Sequence, residues 1–246
     1  MRVISWFSCG AASAYATYLA KQKYGDLEAV YCRVRQEHPS NLEFLESFQR
    51  KTNIKVKIIE HEEFKGDIFN VFLKRKFLIN QFGAPCTMLL KKGLRKEYQR
   101  EDDIQIFGYP LEEEQRMIDF CERNPEVIMD NLLIDKGVTK TECKAWMLDM
   151  GFELPVMYQL GYKNNNCIGC VKGGMGYWNA IRKDFPDAFD KMAKIERKIG
   201  HAVCSSKGKP VFLDELHPKR GRFKRDQPSD CGFLCDYKNP LIGKLK

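Results

Sequence analysis

The stretch Val3-Ile4-Ser5-Trp6-Phe7-Ser8-Cys9-Gly10-Ala11-Ala12-Ser13-Ala14 decides the fold. Its first five residues are apolar, β-branched or aromatic apart from Ser5, the pattern of a buried strand. Small residues from Ser8 to Ser13 follow as a tight turn, and residues 14–23 are helix-compatible. Strand, small-residue turn and helix in that order present free backbone N–H groups and a helix N-terminus to a phosphate. Gly10 lacks a Cβ and lets the backbone approach an anion, while the hydroxyls of Ser8 and Ser13 can donate hydrogen bonds. No Gly-Lys-Ser/Thr follows, which excludes the Walker-type loop. An ordinary βα turn has the same outline, so the rest of the chain must decide between the two.

Working outward, Tyr15, Tyr18 and Leu19 form the core face of the first helix, and Ala29-Val30-Tyr31-Cys32 is a second strand. Residues 36–41 form a loop ending in a helix cap, with Phe44, Leu45 and Phe48 on the buried face that follows. Residues 54–59 alternate Ile and Val with Lys, a strand with one half-wet face. A helix over 67–77, a basic helix over 88–99 and a fourth strand over 104–108 come next. Thr139 and Glu142 form a capping box, with Cys143, Trp146 and Met147 as that helix's core face. Two helices broken at Pro186 carry Phe189, Met192 and Ile195 inward. Strands separated by helices of this length imply an α/β fold: an open, mostly parallel, Rossmann-like sheet with helices on both faces. Such sheets bind ligands beyond the C-terminal ends of their strands. The expected division is a nucleotide-binding α/β domain over 1–160 and a small helical, cysteine-containing appendage over 161–246.

The opening loop resembles the PP-loop of the adenine-nucleotide α-hydrolase superfamily, whose usual form after the first strand is Ser-Gly-Gly-x-Asp-Ser/Thr. Ser8, Gly10 and Ser13 match it, whereas Cys9 stands at the first Gly and Ala12 at the Asp. The pattern also resembles the phosphoadenylylsulfate-reductase-like proteins of phages and bacteria, and the resemblance spans most of residues 1–240. It implies a sheet of the HUP type and an ATP-like adenine nucleotide held by Ser8, Cys9, Gly10, Ala11 and Ser13. It also implies that His38, past the end of strand two, borders the nucleotide. Gly108, Glu113 and Arg116 correspond to the family's Gly, acidic residue and substrate-facing Arg. An acidic cluster with one Arg at a strand's end can bind Mg and a phosphate or sulfate together; a solvated, Glu-rich helix start is the plainer reading.

Cys167-Ile168-Gly169-Cys170 is the strongest chemical signal, because two thiols spaced by two residues can grip one metal or one cluster face. A second pair, Cys231 and Cys235, lies near the C-terminus. Two close pairs suggest four thiolates around zinc or a four-iron–four-sulfur cluster; a redox dithiol or unliganded cysteines are the alternatives. In adenylylsulfate reductases a Cys-Cys pair joins a later CxxC around a cluster, and Cys86, followed here by Thr87, stands at that place as a ligand or a catalytic thiol. With one cysteine there, the fourth ligand is Cys231 or Cys235, or one iron stays open as in PP-loop enzymes that thiolate tRNA. Cys9, Cys32, Cys121, Cys143 and Cys204 read as buried small apolar residues, Cys9 facing the nucleotide.

The chain of 246 residues can bury a proper core, and its ten cysteines suit a reduced compartment better than a disulfide framework. No apolar run is long enough to span a bilayer and no signal peptide opens the chain, so a cytoplasmic protein without a membrane partner is expected. The net charge of +8 points to polyanions, and residues 219–225, basic with an interleaved Phe223, either bind tRNA or DNA or form a solvated loop.

Three functions fit. One is an ATP-using PP-loop enzyme that adenylates a substrate oxygen, releases pyrophosphate and lets sulfur displace AMP, with Arg116 or Lys172 neutralising charge. Another is a thiol-dependent reductase of a sulfonucleotide, although Asp230-Cys231-Gly232-Phe233-Leu234 stands where such reductases carry Glu-Cys-Gly-x-His. The third is a non-catalytic nucleic-acid-binding protein with a structural zinc.

Overall fold

The computed structural model describes residues 1–226. A five-stranded, all-parallel sheet is built from β1 (Val3–Phe7), β2 (Glu28–Cys32), β3 (Val56–Ile59), β4 (Ile104–Ile106) and β5 (Ile128–Asp130) in the order β3-β2-β1-β4-β5. The chain moves outward from β1 to β3, then returns to the other side of β1. The reversal leaves a crevice between β1 and β4, the place where open α/β sheets bind ligands.

The helices are α1 (Ala11–Tyr24), α2 (Ser40–Thr52), α3 (Ile68–Arg75), α4 (Pro85–Thr87), α5 (Leu94–Tyr98), α6 (Glu114–Arg123), α7 (Leu132–Asp135), α8 (Lys140–Asp149), α9 (Val156–Gln159), α10 (Met175–Asp184) and α11 (Pro186–Ile199). A hairpin of β6 (Cys204–Ser206) and β7 (Lys209–Val211) follows. β1 is central and almost wholly buried, which its apolar run requires; its one hydroxyl, on Ser5, is satisfied by Thr17 Oγ1 at 2.7 Å. Val3 and Phe7 face a core shared with α1, α2 and α8. On the opposite face Trp6 meets Tyr98 of α5 edge-on at 6.2 Å, and its Nε1 donates to Gln105 at 3.0 Å. Asp103, fully buried, accepts from Arg2 Nε at 2.9 Å and Nη2 at 2.7 Å and anchors the start of β4.

A second core gathers Phe69, Val71 and Phe72 of α3, Leu90, and Trp178, Ile181, Phe189, Met192 and Ile195 of α10 and α11. Its residues come from both sides of residue 160. Pro186 sits at the first position of α11, where its missing N–H goes unneeded, and Phe189, Met192 and Ile195 are buried as the sequence predicts. The capping box of Thr139 and Glu142 is also present.

Several boundaries differ from expectation: β3 begins at Val56 rather than 54, β4 ends at Ile106 rather than 108, and the basic helix runs from 85 to 98. α1 begins at Ala11 rather than residue 14, so the turn is only Ser8, Cys9 and Gly10. β5 has no counterpart in the sequence reading: it is three residues long at a sheet edge, with Ile128 exposed, and shows no strand periodicity. Among the described residues no helix is long and apolar enough to cross a membrane.

Candidate functional site

The turn after β1 closes on itself. Ser13 Oγ accepts from Ser8 N at 3.0 Å and from Ser8 Oγ at 2.9 Å, and donates to Gly10 O at 3.0 Å. Gly10 caps α1 in an extended conformation with no side-chain cap, and the first turn holds no acidic residue. The backbone N–H groups there lack a carboxylate partner, as an anion site requires. The residue with the left-handed backbone is Cys9, at φ 55°. A glycine takes this conformation freely, whereas an L residue pays about 1–2 kcal/mol for it, which supplies a physical reason for the Gly of the resembled loop. At Gly10 a Cβ would meet only Tyr158 Oη at 3.4 Å and Ser8 Oγ at 3.6 Å, ordinary contacts. Gly108 is the tight position: a Cβ there would sit 2.4 Å from Ser13 N and 2.6 Å from Ser13 Cα. The end of β4 therefore touches the first turn of α1, backbone to backbone.

A cavity of about 380 Å³ opens where these two segments meet. Ser8, Gly10, Ser13, Gly108, Glu113 and Arg116 line it, together with Ala12. Cys9 and Ala11 do not: Cys9 is wholly buried in the core, where burial raises its thiol pKa well above the usual value, and Ala11 is buried beside it. His38 also lies elsewhere, its ring against Phe185 at 6.0 Å and its Nδ1 on Ser40. Of the acidic cluster only Glu113 reaches the cavity, ion-paired to Arg116, which stacks over Tyr109 at 5.3 Å. Glu112 instead accepts from Lys140 N at 3.0 Å and caps α8.

Sequence reasoning missed the cationic wall. Lys91, Lys92 and Arg95 enter from a helical run over residues 85–98 whose middle, Met88–Gly93, is a π-helix, and Lys140 enters from α8. The wide turn of a π-helix shifts the side chains that follow it, and such turns are frequent at functional sites. The Lys91-Lys92 pair and Arg95 were visible as a basic helix; their direction was not. Lys91 Nζ pairs with buried Glu37 at 2.8 Å, and although burial opposes the charge, Glu37 holds the ammonium above its usual pKa. Lys92, Arg95 and Lys140 make no ion pair among the described residues, and burial lowers the pKa of all three.

The cysteine motif joins the loop through Asn165, whose buried Nδ2 donates to Cys9 O at 2.7 Å and to Asn41 Oδ1 at 2.8 Å. Asn41 Nδ2 in turn donates to Glu37 at 3.0 Å, and Tyr31 Oη donates to the same carboxylate at 2.6 Å. Gly169 sits at φ 72° with its α-carbon facing Trp178, so the motif needs glycine there both for conformation and for space. Cys86 lies within electrostatic range of Cys167 and Cys170; burial raises the pKa of Cys86 and Cys167, and each is raised further by neighbouring cysteines. Among the described residues no three His, Cys, Asp or Glu side chains are arranged around a single metal-ion position. Cys231 and Cys235 lie outside the described residues. Cys143 and Cys204 are buried as expected, while Cys32 and Cys121 are only half-buried.

Lys172 is exposed and lies off the cavity lining. In the basic segment, Phe223 is packed against Tyr162 at 5.2 Å and Arg225 pairs with Asp184 at 2.6 Å, so this aromatic ring serves the fold. No protein-family model matches the chain, and no curated protein matches it.

Proposed function

We propose that this chain is a PP-loop-type enzyme with a HUP-type sheet that holds ATP or a related adenine nucleotide in the cavity between β1 and β4. The observation that carries this reading is the charge of the lining: Lys91, Lys92, Arg95, Arg116 and Lys140 against one carboxylate among the described residues, Glu113. Such a wall suits a polyphosphate, and Lys92, Arg95 and Lys140, which make no ion pair among the described residues, recover their desolvation when an anion is bound. Glu113 together with nucleotide phosphates suits Mg, which commonly takes one or two carboxylates and completes its shell from substrate.

In this reading the N–H groups opening α1 and the Ser8 hydroxyl donate to phosphate oxygens. A substrate oxygen attacks the α-phosphorus, and the bond to the β-phosphate oxygen breaks as pyrophosphate leaves with the electron pair. Lys92, Arg95 and Lys140 stabilise the charge that grows on the leaving group. A sulfur nucleophile then displaces AMP from the adenylated substrate. Cys86, Cys167 and Cys170 would hold an iron–sulfur cluster; by donor type they suit one, as three soft, half-buried thiols in mutual electrostatic range, and the stretch that carries Cys167 and Cys170 is tied to the loop through Asn165. Such a cluster would supply the sulfur.

Incubation with ATP and assay for pyrophosphate tests the reading, beside calorimetric titration with ATP. Absence of both binding and release overturns it, and sulfite release from a sulfonucleotide with a thiol reductant selects the reductase instead. Anaerobic purification with iron and acid-labile sulfide analysis tests the cysteine assignment. Cys170→Ser is expected to lose the bound metal, and full retention would refute the ligand.

A further inference from the structure

The cationic wall continues out of the cavity. Between Ile68 and Lys96 the chain carries seven Lys and Arg and no Asp or Glu. Lys92 is exposed at the cavity rim, and Lys96 lies one helical turn beyond it. Arg95 between them lies over Phe120 at 5.1 Å, which brings α6 and its exposed terminal Arg123 alongside. Lys172, two residues after Cys170, is exposed as well. Arg123, Lys172, Arg95 and Lys96 all bear on Lys92 electrostatically, each opposing its charge. Lys92, Lys96 and Lys172 make no ion pair among the described residues, and Arg123 reaches only Asp119, at 4.0 Å. The adjacent carboxylates Glu97 and Glu122 pair with none of them. Like charges gathered at this density, with Arg123 alone ion-paired among the described residues, favour a polyanion.

The same run of chain also leaves apolar side chains in water. Phe82 is 83% exposed and Met88 is 50% exposed, one turn before Lys92. A spaced row of cations with exposed Met88 one turn away matches a strand whose phosphates recur at regular intervals beside apolar base faces, more than an acidic peptide.

We propose that Lys92, Lys96, Arg123 and Lys172 form a docking surface for a single-stranded nucleic acid, running from the cavity rim past the cysteine motif. The surface differs from residues 219–225, whose Phe223 is packed internally. Binding there does not depend on the nucleotide reading; where both hold, the strand is the acceptor.

Fluorescence anisotropy with a labelled single-stranded RNA of about a dozen nucleotides tests this over a series of salt concentrations. The wild-type chain is expected to bind with log K falling linearly in log salt, with slope about −3 for four phosphate contacts. Lys96→Glu/Arg123→Glu/Lys172→Glu, none of them lining the cavity, is expected to weaken binding at least tenfold and to flatten the slope by about 2. Lys219→Glu/Arg222→Glu is expected to leave both unchanged, with urea midpoints confirming that each variant is folded. Absence of wild-type binding at low salt, an unchanged triple variant, or an equal loss in the Lys219/Arg222 variant overturns the proposal. So does sedimentation showing that the triple variant abolishes self-association while RNA binding is unaffected.

Discussion

The side-chain amide of Asn165 donates to the main-chain carbonyl of Cys9 at 2.7 Å, across 156 residues of sequence. This single bond ties the segment preceding the cysteine motif to the turn after β1, and through Asn41 and Glu37 it reaches Lys91 on the cavity wall. The loop and the cysteine motif are therefore positioned together. Asn165→Ala strips the donor from a buried carbonyl and from Asn41 Oδ1, at a cost of about 1–3 kcal/mol. Urea unfolding measures that loss. Because Asn165 also lines the cavity, ATP affinity is expected to fall with stability. An unchanged midpoint contradicts the coupling.

Cys9 gives a test with an unusual order of outcomes. Its φ of 55° favours glycine, while its side chain is fully buried. Cys9→Ala keeps the strain and loses the sulfur's packing, about 1 kcal/mol. Cys9→Gly loses slightly more packing but relieves about 1–2 kcal/mol of strain. Denaturation midpoints are expected to place Gly level with or above Ala, the reverse of the usual ranking. Gly lower than Ala by about 1 kcal/mol would show that the left-handed turn is not under strain.

Gly108 and Gly10 separate close approach from mere proximity. A methyl group at position 108 collides with the backbone of Ser13, so Gly108→Ala is expected to cost about 1–3 kcal/mol or more and to disrupt the anion site. Gly10→Ala meets only ordinary contacts and is expected to change stability by less than about 1 kcal/mol. Paired thermal melts and ATP titrations check both. Equal effects at the two positions count against the backbone contact between β4 and α1.

Glu196 sets a pH dependence away from the cavity. It is fully buried, and burial pushes its pKa up from 4.5 to about 7, although Val203 N and Leu213 N each donate to it at 2.6 Å. Between about pH 4.5 and 7 the folded chain holds a proton at this carboxyl that the unfolded chain has released, so stability falls as pH rises through that window and levels off above it. The loss is about 3 kcal/mol. Glu196→Gln is expected to be less stable at pH 5 and to lose this part of the slope in urea midpoints measured from pH 5 to 8. An unchanged slope in the variant would place the carboxyl's titration elsewhere.

Much of the fold was legible because local pattern and global position agree. Val3 to Phe7 is apolar because β1 is central, and Phe189, Met192 and Ile195 keep helical spacing because one face of α11 meets the second core. β5 was not legible, since three residues at an exposed edge need little apolar content. Half the loop could be read: Ser8 and Ser13 bond each other as hydroxyls at that spacing can, but the inward turn of Cys9 follows from its positive φ, which composition does not show. The cationic wall was least legible. Lys140 and Arg95 converge only through tertiary packing, and the π-helix that aims Lys91 and Lys92 has no simple sequence signature.

The most direct test is a crystal structure of the chain soaked with a non-hydrolysable ATP analogue and Mg. The expected density has phosphates within hydrogen-bonding distance of the backbone N–H groups opening α1 and of Lys92, Arg95 or Lys140, with Gly108 against the same turn. Density for the nucleotide at any other place, with the cavity between β1 and β4 left to water, would contradict it.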